Sequence, residues 1–120
     1  MEIKKQGSYL VVTINNGDSI TESLEKTIRT YGIIDGIVSG FGYSSMLQLG
    51  AMEKVDPLFY NKQVYEELIT INNITGFVSN RSWHIHMQIT DKEFNQSGGH
   101  FIAGVAWMDT YITINVLKTE

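Results

Sequence analysis

The sequence predicts an α+β fold, a mainly antiparallel β-sheet with one principal helix packed on it. Two observations carry this. Most of the chain divides into short stretches rich in β-branched and aromatic residues, bounded by turn residues. Only one segment carries an apolar helical stripe with signals at both of its ends, and runs of strands surround it. No internal repeat, low-complexity tract or interdomain linker interrupts residues 1–120, so they read as one domain.

The first strand is expected over Ser8–Ile14, a β-branched run that ends at the turn Asn15-Asn16-Gly17. The helix begins next. Ser19 followed three residues later by Glu22 is a capping box, in which each side chain satisfies a backbone N–H. Ile20, Leu24, Ile28 and Tyr31 then recur at helical spacing and mark one apolar face. Gly32 is a natural stop, because it adopts the left-handed conformation without steric cost. Beyond it, Ile33–Gly40 reads as a strand interrupted by Gly36, and Tyr43–Ala51 as a further extended stretch. Residues Glu53–Gln63 are polar and hold the only proline, Pro57, so they read as a loop or edge connection. Strands resume over Glu67–Thr75, Trp83–Thr90, Gly99–Met108 and Thr110–Leu117.

Composition narrows the function classes. Hydrophobic residues make up 42% and charged residues 18%, as in ordinary globular proteins. No apolar run approaches the roughly 20 residues that span a bilayer. The chain opens on charged residues with no apolar signal segment after them, so a cytoplasmic protein is expected. With no cysteine, disulfides, thiolate chemistry and cysteine zinc fingers are excluded, leaving His, Asp, Glu or water to hold a transition metal. The formal net charge is −4 and the nine basic residues are scattered, which disfavours direct DNA binding by one chain.

All three histidines fall in one predicted hairpin. In Trp83-His84-Ile85-His86-Met87 polar and large apolar residues alternate, which on a strand puts His84 and His86 on one face. Asp91-Lys92-Glu93-Phe94-Asn95 is the turn candidate. A hairpin centred on Glu93 sets residue 86 opposite His100 and residue 84 opposite residue 102. Directly paired residues project to the same side of a sheet, so the three imidazoles share a face. That is the ligand set of a zinc-type site with its fourth position open. A lone histidine is ordinarily a satisfied surface or core residue, and a register slip of one would reverse His100. Gly98 and Gly99, just before His100, are expected to leave room for a ligand or a neighbouring chain.

Other motifs are thinner. The glycine-rich stretch Gly36–Ser45 matches no phosphate-binding pattern and reads as bulges and close strand approach. Gly-x-Ser-x-Gly is absent. Asp109, Tyr111, Glu66 and Glu67 are acid–base candidates that spacing alone does not bring to the histidines.

Gly40-Phe41-Gly42 with Leu49-Gly50, then Ile74-Thr75-Gly76, His84-Ile85-His86 and Gly98-Gly99-His100-Phe101, together resemble the PPC domain. This plants and prokaryotes conserved domain is joined to AT-hooks in plant nuclear proteins. The resemblance covers almost the whole chain. It implies an α+β fold assembled as a homotrimer, with His84, His86 and His100 matching the metal-associated histidines of prokaryotic members. No AT-hook is present. Thr70 and Tyr111 stand where family members often carry glutamate.

The leading expectation is therefore a trimeric binding module with a three-histidine divalent metal site, zinc being the expected ion. A small-molecule ligand would fit such a site. Two other readings are a DNA-binding or regulatory protein, by kinship with the AT-hook proteins, and a metal-dependent enzyme acting on a small substrate.

Overall fold

Alternation of apolar and polar residues folds this chain into eight strands and one helix, described over residues 1–120 in a computed structural model. The strands are β1 (Glu2–Gln6), β2 (Tyr9–Ile14), β3 (Ile33–Val55), β4 (Leu58–Tyr65), β5 (Ile69–Ser79), β6 (Ser82–Thr90), β7 (Gln96–Ala106) and β8 (Thr110–Thr119). Their order in the sheet is β1-β2-β8-β3-β5-β6-β7, every pairing antiparallel, with β4 added beside β3. The expected fold class is the observed one.

The helix α1 (Ile20–Thr30) forms where the capping signal puts it. Ser19 accepts a hydrogen bond from the Glu22 amide at 3.2 Å, satisfying one of the free donors of the first turn. Ile20, Leu24 and Ile28 are buried and Tyr31 packs half-buried beside them. Gly32 ends the helix at φ 58°. The buried stripe rests on β7 and β3, so one face of the sheet is covered and the other is left open.

The strand β3 departs most from expectation. The two stretches expected at Ile33–Gly40 and Tyr43–Ala51 are one strand of 23 residues. At about 3.3 Å per residue it would run roughly 75 Å if straight, yet the longest extent of the whole molecule is 39 Å. The strand must bend. It does so at register shifts between Gly40 and Gly42, Ser44 and Met46, and Met52 and Lys54. Its first half pairs with β8 and β5, and its second half pairs with β4 and β7. Pairing of β7 with β3 closes β3, β5, β6 and β7 into a ring.

Two strands fall where the sequence offered no alternating pattern. Of the two readings of Glu53–Gln63, the edge connection holds and the loop does not: the stretch contains the end of β3, a tight turn at Asp56-Pro57 and most of β4. Both faces of this edge hairpin meet solvent, so no burial period was written into it. The charged terminus likewise forms β1, whose residues are almost all exposed. One cluster of 21 buried apolar residues makes the core, with Phe101 its largest fully buried side chain.

Candidate metal centre

Strand β6 sorts its residues by period. Ile85 and Met87 are buried in the core while His84 and His86 stand exposed on the open face. The hairpin to β7 holds the register that a turn centred on Glu93 requires, and His86 lies directly opposite His100. Asp91 builds that turn. Its Oδ1 accepts the amides of Glu93 at 2.9 Å and Asn95 at 3.0 Å. Desolvation pushes the Asp91 carboxyl upward, but these bonds, the Asn95 side chain and nearby Lys92 outweigh it and leave the pKa below its ordinary value.

The expected pairing of residue 84 with residue 102 does not occur. Pairing of β6 with β7 stops at His86–His100, because β7 turns there onto β3, setting His100 against Gly50 and Phe101 against Leu49. His84 pairs instead with Phe77 of β5. The divergence brings His84 toward His100 all the same. Ring centroids are 4.8 Å apart for His84–His100, 5.2 Å for His84–His86 and 5.7 Å for His86–His100. One ligand nitrogen from each ring lies within 4.8 Å of the others.

A zinc–nitrogen bond of about 2.0–2.1 Å sets two nitrogens of a tetrahedral ion about 3.4 Å apart. The observed spacing lies within on the order of 1 Å of that value. A second observation also fits a cation. Nδ1 of His100 is buried and has no hydrogen-bond partner, a costly state for a polar atom. Burial, followed by the charges of His84 and His86, pushes the His100 pKa below 6.5. Both causes favour the neutral ring, the form that binds metal.

Aromatic rings wall the cluster. Tyr60 of β4 stacks on His100 with centroids 4.7 Å apart and planes 15° from parallel. Phe77 leans on His84 at 5.8 Å. Neither was singled out from the sequence. Tyr60 lies in the segment read as a loop or edge connection, and Phe59-Tyr60 among polar residues was its one weak strand signal.

The glycines before His100 line the neighbouring cleft, and they also allow a close approach of strands. A Cβ on Gly99 would sit 2.5 Å from the Gly50 carbonyl, and one on Gly98 2.5 Å from the Met87 carbonyl. Their lack of side chains lets β7 squeeze between β3 and β6, and that space is filled by backbone.

No carboxylate joins the three histidines. Tyr111 lies on β8, paired with Thr13 and Phe41, and its ring packs on Phe41 at 5.3 Å. Asp109 immediately precedes β8, and Glu66 and Glu67 fall between β4 and β5. Thr70 pairs with Tyr43 and Thr90, five residues along β5 from the Thr75 that faces His86. The glycine-rich Gly36–Ser45 stretch is paired strand with a bulge, not a phosphate loop.

A mainly antiparallel α+β protein with a histidine-only cluster on its open face is the class defined by this fold and site. The family model for the Plants and Prokaryotes Conserved domain matches residues 1–118, and the chain belongs to that family. Solved structures agree in fold. A candidate DNA-binding protein from Bacteroides thetaiotaomicron superposes with a TM-score of 0.90 at 22% identity, over 99% of this chain and 85% of that one. A metal-containing protein from Archaeoglobus fulgidus gives 0.82 at 20% identity, over 99% and 84%. The plant- and prokaryote-conserved protein of Pyrococcus horikoshii gives 0.82 at 15% identity, over 99% and 83%. A comparison with curated proteins gives no match. No helix is long and apolar enough to cross a membrane.

Proposed function

We propose that this protein is a homotrimeric binding module in which His84, His86 and His100 hold a divalent metal, zinc by preference. The observation that carries the reading is the convergence of three imidazole nitrogens within 4.8 Å on rigid strands. The buried, unpartnered Nδ1 of His100 supports it. Imidazole nitrogens suit zinc and its transition-metal neighbours, whereas magnesium and calcium ask for oxygen. When bound, such an ion supplies a Lewis acid with a position free for an exogenous oxygen. The chain orients the three rings and shields His100 behind Tyr60. With no carboxylate in the group, binding is favoured over hydrolysis, which ordinarily needs a base beside the metal.

Trimer formation has its support on the open face. Ile37, Phe41, Phe77 and Tyr111 are exposed there, with Ile37 paired to Phe77 and Phe41 to Tyr111. A shared apolar face across three copies would set each histidine cluster near a subunit boundary. We assign residues 1–120 to one domain working in the cytoplasm.

Metal analysis of untagged protein tests the central reading. About one equivalent of zinc, nickel or cobalt per chain, lost in His86→Ala, is expected. No uptake from any of the three would sink it.

DNA binding is the second reading, favoured by the name of the Bacteroides neighbour. A net charge of −4 opposes it. A gel shift at low salt with a steep salt slope would support it, and no shift at low salt would dispose of it.

A further inference from the structure

Beside the histidines, β5, β6 and β7 line an open cleft of about 480 Å³. Its size is that of a small-molecule site. His86 belongs to both the imidazole cluster and the cleft wall. From there the lining runs outward through Thr75, Asn73, Gln88 and Gln96. The register shift between Ile71 and Asn73 turns an extra residue of β5 outward, which widens the carboxamide wall.

The chemistry of this wall is unusually uniform. None of its residues is Lys, Arg, Asp or Glu. Phosphate and similar anions are recognised by guanidinium, ammonium or helix N-termini, and none of these lines the cleft. An apolar ligand fits no better, because the two hydrophobic lining residues, Met87 and Ile89, are buried toward the core. Asn72 is engaged with the Thr90 hydroxyl at 2.6 Å and Ser97 with the Tyr65 hydroxyl at 3.0 Å. The remaining carboxamides and the Thr75 hydroxyl offer both donors and acceptors. A ligand whose polar groups each donate and accept matches them, and the hydroxyl is that group.

We infer that the cleft takes a small, uncharged, polyhydroxylated molecule, a monosaccharide or a linear polyol, with one hydroxyl directed to the His86 end. This rests on the metal-site reading, since the inner hydroxyl is the oxygen that the open metal position would accept. Asn73, Thr75, Gln88 and Gln96 give the cleft its preference for hydroxyls over charged groups.

The experiment uses untagged protein whose zinc content has been measured, in buffer free of glycerol. Saturation-transfer difference NMR is recorded with D-ribose, D-glucose and D-mannitol, and with acetate as an anionic competitor. Transfer to at least one polyol is expected, with no displacement by equimolar acetate. Affinity should fall at least tenfold in Gln88→Ala and in Asn73→Ala, with zinc content unchanged. Circular dichroism identifies a variant that fails to fold, and the other then carries the comparison. Zinc-loaded protein that shows no transfer to any of the three polyols overturns the inference and leaves the metal reading standing. So does binding that is unchanged in both variants, or that acetate displaces. Protein that takes up no metal overturns the metal reading instead.

Discussion

The Tyr60 ring lies flat against His100, 4.7 Å between centroids, although their strands pair with β3 and not with each other. Gly50 makes the approach possible. It pairs with His100 on one side and Lys62 on the other, and a Cβ there would press on Tyr60 at 3.2 Å. Groups that orient a metal ligand typically change metal affinity 10–100-fold when removed. Tyr60→Ala should weaken zinc binding by about tenfold, while Tyr60→Phe, which keeps the ring, should bind as the wild type does. Competitive titration with a chromogenic chelator reads both values.

Metal should stabilise the fold, because an ion held only by the native arrangement shifts unfolding by mass action. At one hundred times its dissociation constant the gain is about 2.7 kcal/mol. Wild type stripped with chelator should melt several degrees lower than the zinc-loaded protein, with His84→Ala showing no such difference. Differential scanning calorimetry at two zinc concentrations checks this.

In metal-free protein the depressed pKa of His100 has a defined sign. Between the lowered folded value and the unfolded 6.5, the unfolded chain binds more protons. Stability from this group is therefore fully present above pH 6.5 and is lost as the pH falls through the folded value. The melting temperature should drop more steeply between pH 7 and 5 in the wild type than in His100→Gln. Equal slopes would contradict the assignment.

Phe101 couples the site to the core. It is fully buried, follows His100 directly and packs on Trp83 with centroids 5.5 Å apart. Phe101→Ala should cost about 3–5 kcal/mol in urea unfolding. Zinc affinity should fall with it, since the backbone carrying His100 loses its anchor.

The open face should carry the contacts between copies. Ile37→Asp buries a charge in any such interface and should reduce the mass found by light scattering from three chains to one. A trimer that survives this substitution would place the interface elsewhere.

The histidine cluster was legible because two local rules agree. Alternation on β6 put His84 and His86 on one face, and the polar turn fixed the pairing of His86 with His100. The helix was equally clear from Ser19, Glu22 and Gly32. What stayed hidden depends on contacts distant in sequence. Whether β7 continues along β6 or turns onto β3 at His100 is decided by Gly50 and Gly99, 49 positions apart, meeting backbone to backbone. Hence the expected pairing of 84 with 102 failed. Strand β4 and Tyr60 were missed because an edge hairpin exposed on both faces carries no period-two signal. The fusion of β3 was obscured by glycines that punctuate a bend, not an end.

The length of β3 has a consequence for how the protein is made. All four of its pairing partners, β4, β5, β7 and β8, follow it in the chain, and Ile33 is matched with Thr119. A ribosome delivers β3 long before β8, whose residues also hold β2 in place. Neither β2 nor the first half of β3, Ile33–Phe41, acquires its full set of neighbours until the stretch Thr110–Thr119 has emerged. Pairings so far apart in sequence fold on a timescale of about milliseconds to seconds. During translation β2 and the first half of β3 wait with unpaired edges, so pulse-chase proteolysis should find them cleavable until synthesis passes β8.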